Sequence, residues 1–174
     1  MKKLISSIML VALVGTTVAI GAGAADVTGG IGATVTADVI AITVSDNTVA
    51  YGTMAPGETK TTIASGLNDT QIATNTGNVA ETFTIKGSDS VAWTLETAAD
   101  TDKYFHGWCE DLLADCNAAE DYTALDTEYK PVVAGHELTA TTGHVHLDLW
   151  LKVPTINTAT DHQHVDVTIL ATKH

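Results

Sequence analysis

The sequence predicts an all-β protein whose strands pack as an antiparallel sandwich, and three observations predict it. Apolar and polar residues alternate in runs of ~5–10 residues at regular spacing, the pattern of half-buried strands. Clusters of Gly, Pro, Asn and Asp close most runs, as turns between strands require. Beyond residue 24 no stretch carries a long helical period, and no internal repeat suggests a solenoid or propeller. A chain of 174 residues fits one domain of ordinary size.

Taken in order, Met1-Lys2-Lys3 supplies a basic start, Leu4 to Ile20 is uncharged, and Ala22-Gly23-Ala24 offers the small residues a signal peptidase needs. Residues 1–24 are therefore expected to be a signal peptide. The uncharged run to Ala25 would just span a bilayer at ~20 residues, but the Ala-x-Ala ending favours cleavage and a mature form without a membrane anchor. Residues 25–36 form a glycine-rich arm with Val27, Ile31, Ala33 and Val35 on one parity. That pattern fits a donor strand for a neighbouring copy; it equally fits a disordered leader before an ordinary first strand.

Residues 37–174 make the sandwich domain. Val35, Ala37 and Val39 share one parity and Ile40, Ile42 and Val44 the other, so a bulge or a strand crossing between sheets is expected near Val39. Asp46-Asn47 turns the chain, Val49 and Tyr51 continue it, and Ala55-Pro56-Gly57-Glu58 is a strong turn. Lys60–Ala64 and Gln71–Thr74 are short strands divided by Gly66-Leu67-Asn68-Asp69, and Asn75–Asn78 turns again. Val79, Phe83 and Ile85 form one strand face; Val91, Trp93 and Leu95 form the next after the turn at Gly87–Ser90.

Between 96 and 142 the alternation weakens, acids concentrate, and the segment reads as an insertion. It is expected to be an elaborated hairpin: Tyr104–Trp108 as one arm, the Cys109–Cys116 loop as its tip, Tyr122–Val133 as the return, with room for a short helix over Glu110–Ala119. The clearest strands come last. Val145, Leu147, Leu149, Leu151 and Val153 alternate with polar neighbours until Pro154, and Val165, Val167, Ile169 and Ala171 repeat the pattern.

Composition excludes whole classes of partner. Charged residues are 17% of the chain against ~25% in typical soluble proteins. All eight basic residues are lysine, and 21 acids bring the formal charge to −13, or −15 once Lys2 and Lys3 leave with the leader. Without arginine forks or a basic patch, nucleic acid is excluded, and so is attraction to an anionic membrane. Cys109 and Cys116 are expected to close one small disulfide loop in an exported protein. Neither structural-zinc spacing nor a C-x-x-C dithiol is present.

Four segments carry a resemblance: Val49–Gly57, Ala73–Val79, Ile85–Asp89 with Trp93, and the ending Leu149–Pro154 plus Val165–Ala171. Together they resemble secreted immunoglobulin-like modules of prokaryotic surface proteins, and more loosely the TasA/camelysin-type fibre subunits and archaeal bundling pilins. The resemblance spans about residues 44–172 and implies an immunoglobulin-like sandwich of the Greek-key or jelly-roll type. Its motifs are turn chemistry and core alternation, which specify a fold better than a function. The acidic 96–142 region departs from the pattern.

Seven histidines invite a metal site, especially the pairs His144-x-His146 and His162-x-His164. If the last two strands form a hairpin around Asn157, His164 faces Trp150 and His162 faces Lys152. His144 and His146 then lie ~20 Å away, too far to share an ion, so exposed histidines on a solvated face are the expectation. Calcium, bound weakly through Asp100, Asp102, Glu110 and Asp111, is the better metal candidate, although no EF-hand spacing occurs and the acids also serve simply to solvate the loop.

Trp108 and Trp150 are candidates for a sugar-stacking face; alternatively the 96–142 hairpin folds over Trp150 as a small satellite core. Asn68-Asp69-Thr70 is a glycosylation sequon. No nucleophile elbow, zinc-protease motif or phosphate loop occurs, so no enzyme is expected. The function expected is that of a secreted structural or adhesive surface protein. It would self-associate into a fibre or surface layer, with an extracellular filament assembled by strand addition as the form the arm suggests. The alternative is a carbohydrate-binding or calcium-dependent adhesion module.

Overall fold

A computed structural model describes residues 34–110, 116–132 and 137–174. Its strands are β1 (Ile42–Val44), β2 (Thr59–Thr61), β3 (Gln71–Asn75), β4 (Glu81–Gly87), β5 (Thr94–Leu95), β6 (Lys103–Glu110), β7 (Thr123–Ala124), β8 (Lys130–Pro131), β9 (His144–Lys152) and β10 (Val167–Lys173). A 3-10 turn covers Ala119–Asp121. The fold is all-β, as the alternation predicts. The signal peptide at 1–24 lies outside the described residues.

A seven-stranded sheet runs β1-β3-β9-β6-β5, with β2 also on β9 and β7 also on β6; a three-stranded sheet runs β10-β4-β8. Every pairing but one is antiparallel: β5 and β6 run parallel over Thr94↔Lys103 and Leu95↔Tyr104. The core lies between the sheets. Ala73, Tyr104, Trp108, Val145, Leu147 and Leu149 from the larger sheet pack in one buried cluster with Phe83 and Ile85 from the smaller. Residues 36–174 form one compact unit.

β9 organises the larger sheet because its alternation is the cleanest in the chain. Val145, Leu147, Leu149 and Leu151 are all buried. One edge of β9 takes β6, from Phe105↔Lys152 to Glu110↔Leu147. The other edge takes β3 and then β2, which meet it at different heights. Between them residues 62–70 make an excursion anchored on the buried Asp148, which accepts hydrogen bonds from the Thr62 hydroxyl (3.0 Å) and the Thr70 hydroxyl (2.7 Å). The turn before β2 follows its sequence: Glu58 N donates to Ala55 O at 2.9 Å, and Gly57 takes φ +74° behind Pro56, as a type II turn requires.

Two expectations need correction. The last two strands do not form a hairpin. Both edges of β9 are already occupied, so residues 153–166 carry the chain to the other sheet, where β10 pairs with β4 from Val167↔Gly87 to Lys173↔Glu81. The parity change at Val39 is neither a bulge nor a crossing strand. Only Ile42–Val44 pair, and residues 39–41 are tied instead to the turn ahead of β4. Val39 N donates to Asn78 Oδ1 at 2.7 Å and Ala41 N to Glu81 Oε1 at 2.8 Å.

The 96–142 segment is woven into both sheets. β6 is hydrogen-bonded along β9, and the return strand β7 pairs with β6 over two residues before the chain crosses to supply β8 beside β4. Cys109 and Cys116 form the expected disulfide, S–S 2.04 Å. Both are buried in a second cluster with Tyr122, against which Ile63 and Trp150 pack.

Candidate functional site

Sheet edges are where a sandwich offers unsatisfied main-chain donors and acceptors. The larger sheet ends in β1, three residues long, and in β5 and β7, two residues each. In the smaller sheet β8 also has two residues. β10 differs: seven residues, no proline, no acid, and a single lysine at its end. It pairs with β4 on one side, and its other side is an edge among the described residues.

β10 presents alternate faces. Val167, Ile169 and Ala171 lie opposite Gly87, Ile85 and Phe83 and pack against the core, yet remain only partly buried. Leu170, on the outer face, is 42% exposed. The smaller sheet sets three strands against the seven of the larger. Lys173 Nζ meets Asp38 Oδ2 at 2.5 Å, which brings the chain three residues after Val35 to the end of β10.

Of the donor-strand candidates, Val27, Ile31 and Ala33 lie outside the described residues. Val35 is exposed and belongs to no strand.

The calcium candidates do not converge. Asp100 and Asp102 precede β6 and Glu110 ends it, so about 26 Å of extended chain separates Asp102 from Glu110 at ~3.3 Å per residue. Asp111 lies outside the described residues. Asp102 already serves the fold: its carboxylate accepts from the Thr158 amide (2.8 Å) and hydroxyl (2.6 Å), contacts that hold its pKa below the usual carboxylate value. Among the described residues no group of three or more His, Cys, Asp or Glu is placed to hold a metal ion.

The two tryptophans do not form one platform. Trp108 points inward, 7% exposed, in the main core. Trp150, on the opposite face, is half-buried and meets Tyr122 edge-on with ring centroids 5.0 Å apart, which is the satellite-core arrangement. Asn68 is exposed at φ +54°, and the Thr70 hydroxyl of its sequon is bonded to Asp148.

Sequence reasoning missed a row of polar side chains inside the sandwich. Tyr104, His106, Trp108 and Glu110 occupy the inward parity of β6 and are all buried. His106 Nε2 lies 3.0 Å from the Tyr51 hydroxyl, and the Tyr104 hydroxyl donates to Ser88 O. Burial lowers the His106 pKa to about 4 and raises the Tyr51 and Tyr104 hydroxyls well above their ordinary value, with the Asp69 charge adding at Tyr51 and the Asp89 charge at Tyr104. The row is uncharged at neutral pH at His106, Tyr51 and Tyr104. The period-two spacing Tyr104-x-His106-x-Trp108 was the available signal.

Comparison with protein-family models, curated proteins and solved structures finds no match for this chain. Among the described residues no helix is long and apolar enough to cross a membrane.

Proposed function

We propose that this chain is a secreted structural or adhesive surface protein whose copies assemble by β-strand addition. The arm 25–36 of one copy pairs with the β10 edge of the next, giving a fibre or surface layer. The observation that carries this is β10 itself: the longest edge strand described, without the prolines or clustered charges that natural edges use to prevent pairing. Each added main-chain hydrogen bond contributes about 0.5–1.5 kcal/mol, and Val167, Ile169 and Ala171 gain cover. A buried disulfide fits export to an oxidising compartment.

The test is deletion of residues 25–32 from the mature protein, followed by electron microscopy and sedimentation. Loss of fibres with a folded monomer is the expected result. Polymerisation that proceeds unchanged would exclude the arm as donor.

A further inference from the structure

We propose that His144 and His146 form a two-histidine site for a divalent cation that prefers imidazole, zinc in the first instance, on the outer face of β9. Residues two apart on a strand project to the same side. The two rings stand with centroids 5.3 Å apart and planes inclined by 40°. Two imidazoles on one tetrahedral zinc, each at about 2.0–2.1 Å, hold their centroids about 5 Å apart. The pair is therefore already at chelating separation.

The hydrogen bonding supplies a second, independent indication. His144 Nδ1 lies 3.1 Å from the Thr142 carbonyl oxygen. A carbonyl only accepts, so Nδ1 carries the proton and the Nε2 lone pair is left for a cation. This is how ligating histidines are usually oriented, with the far nitrogen donating to a backbone carbonyl. His146 makes no hydrogen bond among the described residues, and its nitrogens need not break one to coordinate.

On the β3 side no cation stands in competition. The cross-strand neighbours on β3 are Ile72 opposite His146 and Thr74 opposite His144, both uncharged. His144 is exposed and His146 half-buried, so an ion enters from solvent. Two coordination positions remain for water. His162 and His164 do not take part: they precede β10 at the end that pairs with Gly87, whereas His144 lies beside Thr74 at the far end of the other sheet, and His164 is bonded to Asp166 at 3.0 Å.

Zinc titration of the full mature protein by calorimetry, with nitrogen-edited NMR of the histidine rings, tests this. The wild type and the H162Q/H164Q variant should each bind one equivalent, with the Nε2 signals of His144 and His146 shifting together. H144Q or H146Q alone should weaken binding by more than the about 10–100-fold that loss of an outer-shell partner causes, and H144Q/H146Q should abolish the site. Circular dichroism of each variant verifies the fold. Absence of uptake by the wild type, or uptake by H144Q/H146Q equal to wild type, would overturn the proposal.

Discussion

Replacing His106 with phenylalanine should remove much of the protein's acid sensitivity. The imidazole is 2% exposed on the inward face of β6, with Nε2 against the Tyr51 hydroxyl and its ring beside Tyr104. Both neighbours are phenols kept protonated by burial, so neither provides a negative charge to an imidazolium. The folded-state pKa of about 4 lies below the ~6.5 of an unfolded chain. Between those values the unfolded chain holds a proton that the folded one rejects. Stability is therefore complete above about pH 6.5 and falls as the pH drops towards 4.

At pH 4.5 the loss is about 2–3 kcal/mol, from 1.36 kcal/mol per pKa unit over about two units. That is a large share of the ~5–15 kcal/mol typical of a domain. His106→Phe keeps an aromatic ring in the core but leaves the Tyr51 hydroxyl unpaired, a penalty of about 1–3 kcal/mol at either pH. Urea unfolding followed by tryptophan fluorescence at pH 7.5 and 4.5 measures both terms. The variant should be the weaker protein at pH 7.5 and should draw level with or overtake wild type at pH 4.5. An identical gap at both pH values would refute the reasoning.

Opening the Cys109–Cys116 loop should destabilise the fold by about 2 kcal/mol, the chain-entropy value for cysteines seven residues apart, and lower the melting temperature by about 5–10 °C. Calorimetry of C109A/C116A checks this, and coincident melting of variant and wild type would count against it. Gly77→Ala should loosen residues 39–41, because a Cβ there would sit 2.3 Å from Val39 O and 2.5 Å from Glu81 Oε1. A loss of about 1–3 kcal/mol with faster amide exchange at Val39 and Ala41 is expected, and unchanged protection there would dismiss the tether.

Strands with one wet face were legible in the sequence, since alternation is the direct imprint of burial. β4 and β9 lie where Phe83, Ile85 and Val145–Leu151 place them. Partnering was not legible. β9 and β10 are adjacent, apolar and separated by a proline, which favours a local hairpin; what prevents it is that β2, β3 and β6 have filled both edges of β9. The polar interior row was missed for a different reason. Tyr104, His106 and Glu110 look like surface residues by type, and only their common parity with Trp108 places them inside. The sequence likewise supplied the His144 and His146 spacing, while the Thr142 carbonyl that orients one ring follows from the bend before β9.

Charge and edge geometry bear on assembly together. A formal charge of −13 makes copies repel at long range, which suppresses indiscriminate contact. Screening confines that repulsion to about 8–10 Å at ordinary ionic strength, so short-range pairing decides where copies meet. Along β10 no acid stands in the way, and its one lysine is engaged by Asp38. The outer face beside it carries Thr82, Thr84 and Lys86 on β4 and Thr168, Leu170 and Thr172 on β10, with Thr82 and Thr172 in hydroxyl contact at 2.9 Å. A strand added to β10 would therefore meet main-chain groups and uncharged side chains, Leu170 among them, at the one long edge described, while the acidity elsewhere would disfavour other modes of contact. Under the proposed strand addition, the low charge of the strands and the high charge of the connecting segments are two parts of one arrangement that would direct association to β10.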